Sequence, residues 1–225
     1  MRMRFEVPAG TYAGGVLAAA EGWDLLDVLD AILGYDENDW VGRDIDGRLA
    51  WILNDAGSAY RVNERGNGLE ERVLQPVRDS VSTTVRDASA SSDVGSAADH
   101  LSNAWQAAYG LHPDPVRAYS EAIKAAESAA HAIIEPNNAK TTLGSMLGVI
   151  RNSPSRFTTA LFTPSGKDAI TPVAGMMRAL WEGQTSRHGA QTVTVPETLE
   201  AARAAVHLAA TLVQWFTSGA VARTP

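Results

Sequence analysis

The sequence predicts a mainly α protein: a helical bundle over residues 76–225, preceded by a small α+β module over residues 1–75 that carries a β-hairpin. Three observations predict it. Apolar residues recur every three to four positions through most of the chain, the spacing of helices with one buried face. Between residues 59 and 73 the period shortens to two around the turn cluster Arg65-Gly66-Asn67-Gly68. After Pro76 the composition shifts towards Ala, Ser and Asp and the helical period returns. At 225 residues, 45% hydrophobic and 20% charged, the chain is long enough for one large domain or two small ones and too apolar to remain disordered.

The elements follow in order. Trp23, Leu26, Leu29 and Leu33 predict a helix that Gly34 stops, with Asp24, Asp27 and Asp30 on its solvated side. A second helix runs from Ile45 to Asp55 with Leu49, Ile52 and Leu53 inward and Ala56-Gly57 closing it. The stretches 59–64 and 69–73 pair as a hairpin, since Asn67-Gly68 tolerates the positive φ of a tight primed turn. Pro76 suits the first turn of a helix reaching Ser89. Asp93 is placed to cap the next, which continues to Tyr109 through Ala97, Leu101, Ala104 or Trp105, and Ala108. Gly110, Pro113 and Pro115 break the chain. A long helix from Val116 to Ile134 then carries Tyr119, Ile123, Ala126, Ala130 and Ile133 on one stripe. Shorter helices over 141–150 and 172–181 flank a connection rich in Ser, Thr, Pro and Gly. Pro196 opens the last helix, with Leu199, Ala202, Val206, Ala209, Val213 and Phe216 on its inner face. The alanine-rich stripes allow close helix approach.

Composition excludes several functional classes. There is no cysteine, so disulfide scaffolds, thiol nucleophiles and thiolate zinc sites are ruled out. A formal charge of −7 rules out a wholly basic nucleic-acid coat, though not a local basic cleft. The start Met1-Arg2-Met3-Arg4 leads into Glu6, Pro8 and glycines rather than an apolar targeting core. The apolar run from Ala204 to Phe216 is too short to span a bilayer. A cytoplasmic protein without membrane contact is expected.

Few residues are candidates for chemistry. His100, His112, His131, His188 and His207 show no helical ligand spacing, and no phosphate-cradling glycine loop or Gly-x-Ser-x-Gly elbow is present. Neither a metal nor a cofactor is expected. Thr141-Thr142-Leu143-Gly144-Ser145 has hydroxyls without a neighbouring base. His131, His207 and Glu127 read as packed or paired groups, and Trp105, Trp181 and Trp215 as core aromatics. Asp24, Asp27, Asp30, Asp36, Glu37 and Asp39 read mainly as a solvated face, with a basic partner as the alternative. The exception is Gln184-Thr185-Ser186-Arg187-His188-Gly189, a polar segment between two apolar helices. Its guanidinium can neutralise a phosphate and its imidazole titrates near neutrality, a combination suited to phosphodiester chemistry. The same residues also serve as plain helix-capping groups.

A wider pattern joins these pieces. Ala118-Tyr119-Ser120-Glu121-Ala122-Ile123-Lys124 is followed by Thr142-Leu143-Gly144-Ser145-Met146-Leu147-Gly148. Met177-Arg178-Ala179-Leu180-Trp181 and Arg187-His188-Gly189 come next, before the closing apolar helix. This resembles the HEPN-like domains at the C-terminus of bacterial abortive-infection proteins. The first 75 residues, with Ala59-Tyr60-Arg61-Val62 and its glycine turn, resemble the small N-terminal modules of such proteins. The resemblance implies a homodimeric helical bundle that cleaves RNA without a metal, using an arginine and a histidine four to six residues apart. His188 matches the family histidine. The positions where the family arginine belongs hold Trp181, Glu182 and Gly183, so the candidate cations are the adjacent Arg187 and the upstream Arg178. Two readings follow. One is a phage-defence RNase with His188, Arg187 and Arg178 at its site, restrained by a protein partner or antitoxin. The alternative is a catalytically silent HEPN-like dimer that binds RNA or protein, of chromosomal, phage or mobile-element origin.

Overall fold

The computed structural model describes residues 13–35, 44–91, 95–162, 168–186 and 194–224. The protein is mainly helical, and the chain divides into two compact units. The first comprises residues 1–73 and 109–112, the second residues 74–108 and 113–225.

In the first unit α1 (Ala13–Ala18), a helix not expected from the apolar periodicity, precedes α2 (Gly22–Leu33) and α3 (Ile45–Asp55). Asp44 caps α3, its Oδ1 accepting from Gly47 N at 3.1 Å. The expected hairpin is present. β1 (Tyr60–Val62) and β2 (Leu69–Glu71) pair antiparallel with Tyr60 opposite Glu71. Its turn differs from expectation. Asn63 N donates to Gly68 O at 2.9 Å, so four residues form the loop, and the positive φ, +70°, falls at Gly66 rather than at Asn67-Gly68. The Asn63 side chain fills this wider loop, accepting from Asn67 N and donating to Asn67 Oδ1.

Leu33, Leu49, Leu53, Val62, Leu69 and Leu111 form the core of this unit. Leu111 belongs to the four residues Tyr109–His112, the end of α5 and the three that follow it, and its N–H bonds Leu69 O at 3.2 Å, continuing the sheet pairing past β2. The polar side assigned to α2 needs correction. Asp30 Oδ1 accepts from Leu69 N at 2.6 Å, and Asp27 Oδ1 lies 2.7 Å from His112 Nε2. Two expected inward residues, Trp23 and Ile52, instead face solvent at 64% and 52% exposure. A short hairpin covers only one stripe of each helix, and on α3 the Leu49/Leu53 pair takes it.

The second unit contains α4 (Gln75–Ala90), most of α5 (Ala97–Tyr109), α6 (Pro115–Ile134), α7 (Leu143–Asn152), α8 (Thr171–Glu182) and α9 (Leu199–Thr217). Asp93 lies outside the described residues. Pro76 occupies the first turn of α4, and Asp114 caps α6 through Arg117 N at 3.0 Å. The most extensive helix pairing joins α6 to α9. Their seam is built from small side chains, among them Ala118, Ala122, Ala126 and Ala130 facing Ala202, Val206, Ala209 and Val213, all of them inaccessible to solvent. Small residues bring two helix axes close and raise the dispersion gained per residue. The last helix starts at Leu199 rather than Pro196, because Thr198 Oγ1 accepts from Ala201 N at 3.1 Å and sets the first turn there. The connection after α7 holds a single 3-10 turn over Pro154–Arg156 and then β3 (Phe157–Thr159), which pairs antiparallel with β4 (Val221–Arg223) after α9. Among the described residues no helix is long and apolar enough to cross a membrane.

Candidate functional site

The segment singled out by sequence joins α8 to α9. Its approach is built from close contacts. Trp181 lies so near α7 that a Cβ at Gly144 would come within 2.8 Å of the indole ring, and a Cβ at Gly183 would come within 2.3 Å of Tyr119 Oη on α6. Only glycine fits either place, so the end of α8 is held against both α6 and α7. From there the chain is tied on its two sides. Thr185 Oγ1 donates to Val195 O at 2.6 Å. Ser186 N donates to Glu197 Oε1 at 2.9 Å, and Ser186 Oγ bonds both carboxylate oxygens at 2.8 Å.

Glu197 is 6% exposed. Burial alone raises a carboxyl's pKa, but the hydrogen bonds from the Ser186 backbone and side chain outweigh it, and the Glu197 carboxyl lies below its usual value. It is therefore charged at neutral pH and bridges the flanks of residues 187–193. Sequence reasoning missed this residue. A glutamate after a proline carries no signal of burial, and its partner stands eleven positions away.

Of the three residues assigned to the site, Arg187 and His188 lie outside the described residues. Arg178 is exposed on α8. The helix ends at Glu182, so Arg178 stands about one turn, roughly 6 Å along the axis, before that end. The linear count of ten residues to His188 overstates the helical part of that separation. Glu182 is also exposed.

The four described histidines are engaged elsewhere. His100 Nδ1 lies 2.7 Å from Glu121 Oε2, and Lys124 Nζ donates to the other oxygen, Glu121 Oε1, at 2.8 Å. His112 pairs with Asp27 at 2.7 Å, and His131 Nε2 lies 3.0 Å from Asn138 O. His207 stands edge-on to Trp105 with ring centroids 5.9 Å apart, and burial lowers its pKa, so it is neutral at pH 7. Glu127 accepts from Leu143 N at 2.8 Å and so supports the start of α7. The hydroxyls of Thr141 and Ser145 both donate to Glu135, and Ser145 completes a capping box with Thr142. Contrary to the sequence expectation a carboxylate does stand beside these hydroxyls. Against the effect of burial, their hydrogen bonds hold the Glu135 pKa below its usual value and so make it a weak base, and the contacts join α6 to α7. Among the described residues no cluster of three His, Asp or Glu could hold a metal ion.

A second concavity lies within the same unit. Between α4 and α9 runs an open groove of about 830 Å³ whose lining includes Asp79, Thr84, Asp87, His207 and Gln214. Its two carboxylates oppose phosphate binding, and Asp79 is already met by Arg78 Nη2 at 2.9 Å. No protein-family model, curated protein or solved structure matches this chain.

Proposed function

We propose that this chain is a HEPN-like, abortive-infection-type protein of the cytoplasm, acting as a homodimer that cleaves RNA without a metal ion through Arg187 and His188. The observation that supports this reading is the pair of ties at the flanks of residues 187–193. Thr185 bonds Val195, and Ser186 bonds the buried carboxylate of Glu197. The two short ties hold described residues on either side of the Arg-His-Gly sequence, and catalysis by general acid and base depends on positioning. His100, His112, His131 and His207 are engaged in packing and pairing, which makes each of those four a poor candidate for proton transfer.

The chemistry is transesterification. The ribose 2′-oxygen loses its proton to His188 and attacks the adjacent phosphorus. The P–O5′ bond breaks, leaving a cyclic 2′,3′-phosphate and a 5′-hydroxyl, and a protonated imidazole supplies the leaving oxygen's proton. Arg187 stabilises the charge that builds on the phosphoryl oxygens, with Arg178 as the second candidate cation. The test is RNA cleavage by the purified protein in excess chelator, wild type beside His188→Ala. Cleavage that is lost in the variant is the expected result; equal cleavage by both, or by neither, would overturn it.

The exposed carboxylate of Glu182 at the end of α8 favours a second reading, a catalytically silent module that binds RNA or protein. Retained RNA binding without cleavage assigns the chain to that class.

A further inference from the structure

Charge is distributed unevenly along the chain. Residues 1–73 contain seven arginines, no lysine and fourteen Asp and Glu, so the whole formal charge of −7 falls there, and twelve cationic and twelve acidic residues balance in the remainder. The same unit exposes large apolar side chains that its core does not use. On α3, Trp51, 67% exposed, lies opposite the buried Leu49/Leu53 stripe, and Ile52, 52% exposed, follows it about 100° round the helix. Asp55 is exposed one turn after Trp51, and Arg48 is exposed about one turn before it. On α2, Trp23 is exposed beside the exposed Asp24 and stands edge-on to Tyr60, ring centroids 5.9 Å apart, on the strand against which α3 packs.

A helix face that only meets water has no use for an indole and an isoleucine side by side. Contiguous exposed apolar groups mark contact surfaces, and tryptophan is among the residues most enriched at their energetic centres. The ring face of an indole attracts ammonium and guanidinium groups, and nearby carboxylates add to that attraction. Lysine and arginine stems can also lie along apolar surface while their charged ends stay in water.

We propose that the outward face of α3, centred on Trp51, Ile52 and Asp55 and supplemented by Trp23 and Asp24, docks a cationic amphipathic segment of a partner protein. The charge of this unit selects that occupant. RNA and anionic bilayers are repelled by it, and a second copy of the same face brings a further −7 rather than a counter-charge. The segment's apolar residues cover Trp51 and Ile52, and its cations meet Asp55 and Asp24. The proposal uses neither Arg187 nor His188 and stands whether or not they are catalytic.

The test is fluorescence anisotropy of labelled synthetic peptides titrated with the full-length protein. The probe is a helical peptide of lysine and leucine with leucines at i, i+3 and i+4. Its Lys→Glu counterpart and an oligolysine serve as controls. The protein variants are Trp51→Ala, Ile52→Ser and, as an exposed control in the other unit, Phe162→Ala, each checked for a wild-type circular dichroism spectrum; Phe162 is 94% exposed. The expected result is binding of the lysine–leucine peptide that weakens with salt, falls about tenfold or more in Trp51→Ala and Ile52→Ser, and is unchanged in Phe162→Ala. Absence of binding would overturn the proposal, as would equal binding by Trp51→Ala or equal affinity for oligolysine. Two further results would reassign the face: single-stranded RNA binding lost in Trp51→Ala, or self-association lost in the same variant.

Discussion

Replacing Glu197 tests the architecture of the candidate site without requiring any activity. The carboxylate is 6% exposed and receives the Ser186 N–H and O–H at 2.8–2.9 Å. A hydrogen bond to a charged group contributes about 1.5–3 kcal/mol, and Ser186, only half-buried, recovers part of the loss from water. Glu197→Ala is therefore expected to cost about 2–3 kcal/mol, which for a chain of this size lowers Tm by roughly 4–12 °C. Glu197→Gln keeps an acceptor oxygen but not the charge, and about half that loss is expected. The effect depends on pH in a defined direction. The folded-state pKa lies below the usual 4.5, so the carboxylate's stabilisation is fully present above pH 4.5 and disappears as pH falls through the folded value. The assay is thermal unfolding by circular dichroism at pH 7 and at steps below 4.5. A Glu197→Ala Tm within about 1 °C of wild type at pH 7, or a gap that does not narrow in acid, would refute the tie as described.

Three further outcomes are expected. Burial raises the Asp30 pKa above 3.8 despite the bond from Leu69 N, so its charge opposes folding increasingly as pH rises through the folded value. At pH 7 Asp30→Asn should leave Tm equal or higher, whereas Asp30→Ala strands the Leu69 N–H in the core and should cost about 1–3 kcal/mol in urea unfolding. Gly144→Ala, which on an open helix gains about 1 kcal/mol, should instead destabilise by about 1–3 kcal/mol, since the new methyl meets the Trp181 ring at 2.8 Å; a raised denaturation midpoint would contradict that packing. Ala126→Leu on the α6 seam should cost at least about 1–3 kcal/mol by forcing α6 and α9 apart, read from the same denaturant midpoint.

What could be read in advance follows the range of the interactions involved. Helix periodicity and capping are local, and α3 occupies the predicted Ile45–Asp55, while α6 and α9 differ from expectation by only a few residues at their starts. The hairpin was visible because its glycine turn joins adjacent strands. By contrast β3 and β4 are three residues each and pair across more than sixty positions, too short to show alternation and too distant to suggest one another. Trp23 and Ile52 fit the apolar period of their helices, yet periodicity does not reveal how wide a stripe the hairpin can cover. Asp27 and Asp30 look like ordinary surface carboxylates until Leu69 N and His112 are brought to them from 39 and 85 positions away.

The same logic explains why the candidate site was only half legible. The residue types that suggest chemistry, Arg187 and His188, are conspicuous in sequence, whereas their supports are not. Gly144 makes room for Trp181, Gly183 makes room for Tyr119, and Glu197 bonds Ser186. Each support is a steric or hydrogen-bonding fact between elements far apart in the chain. They converge on one end of α8, and α6 and α9, which flank that end, are also the most extensively paired helices of the unit. A segment meant only to connect two helices needs no buried carboxylate to hold its flanks, because polar loops are solvated at little cost. The buried Glu197 carboxylate is the feature on which the proposed function rests, and Glu197→Ala tests it without any assay of activity.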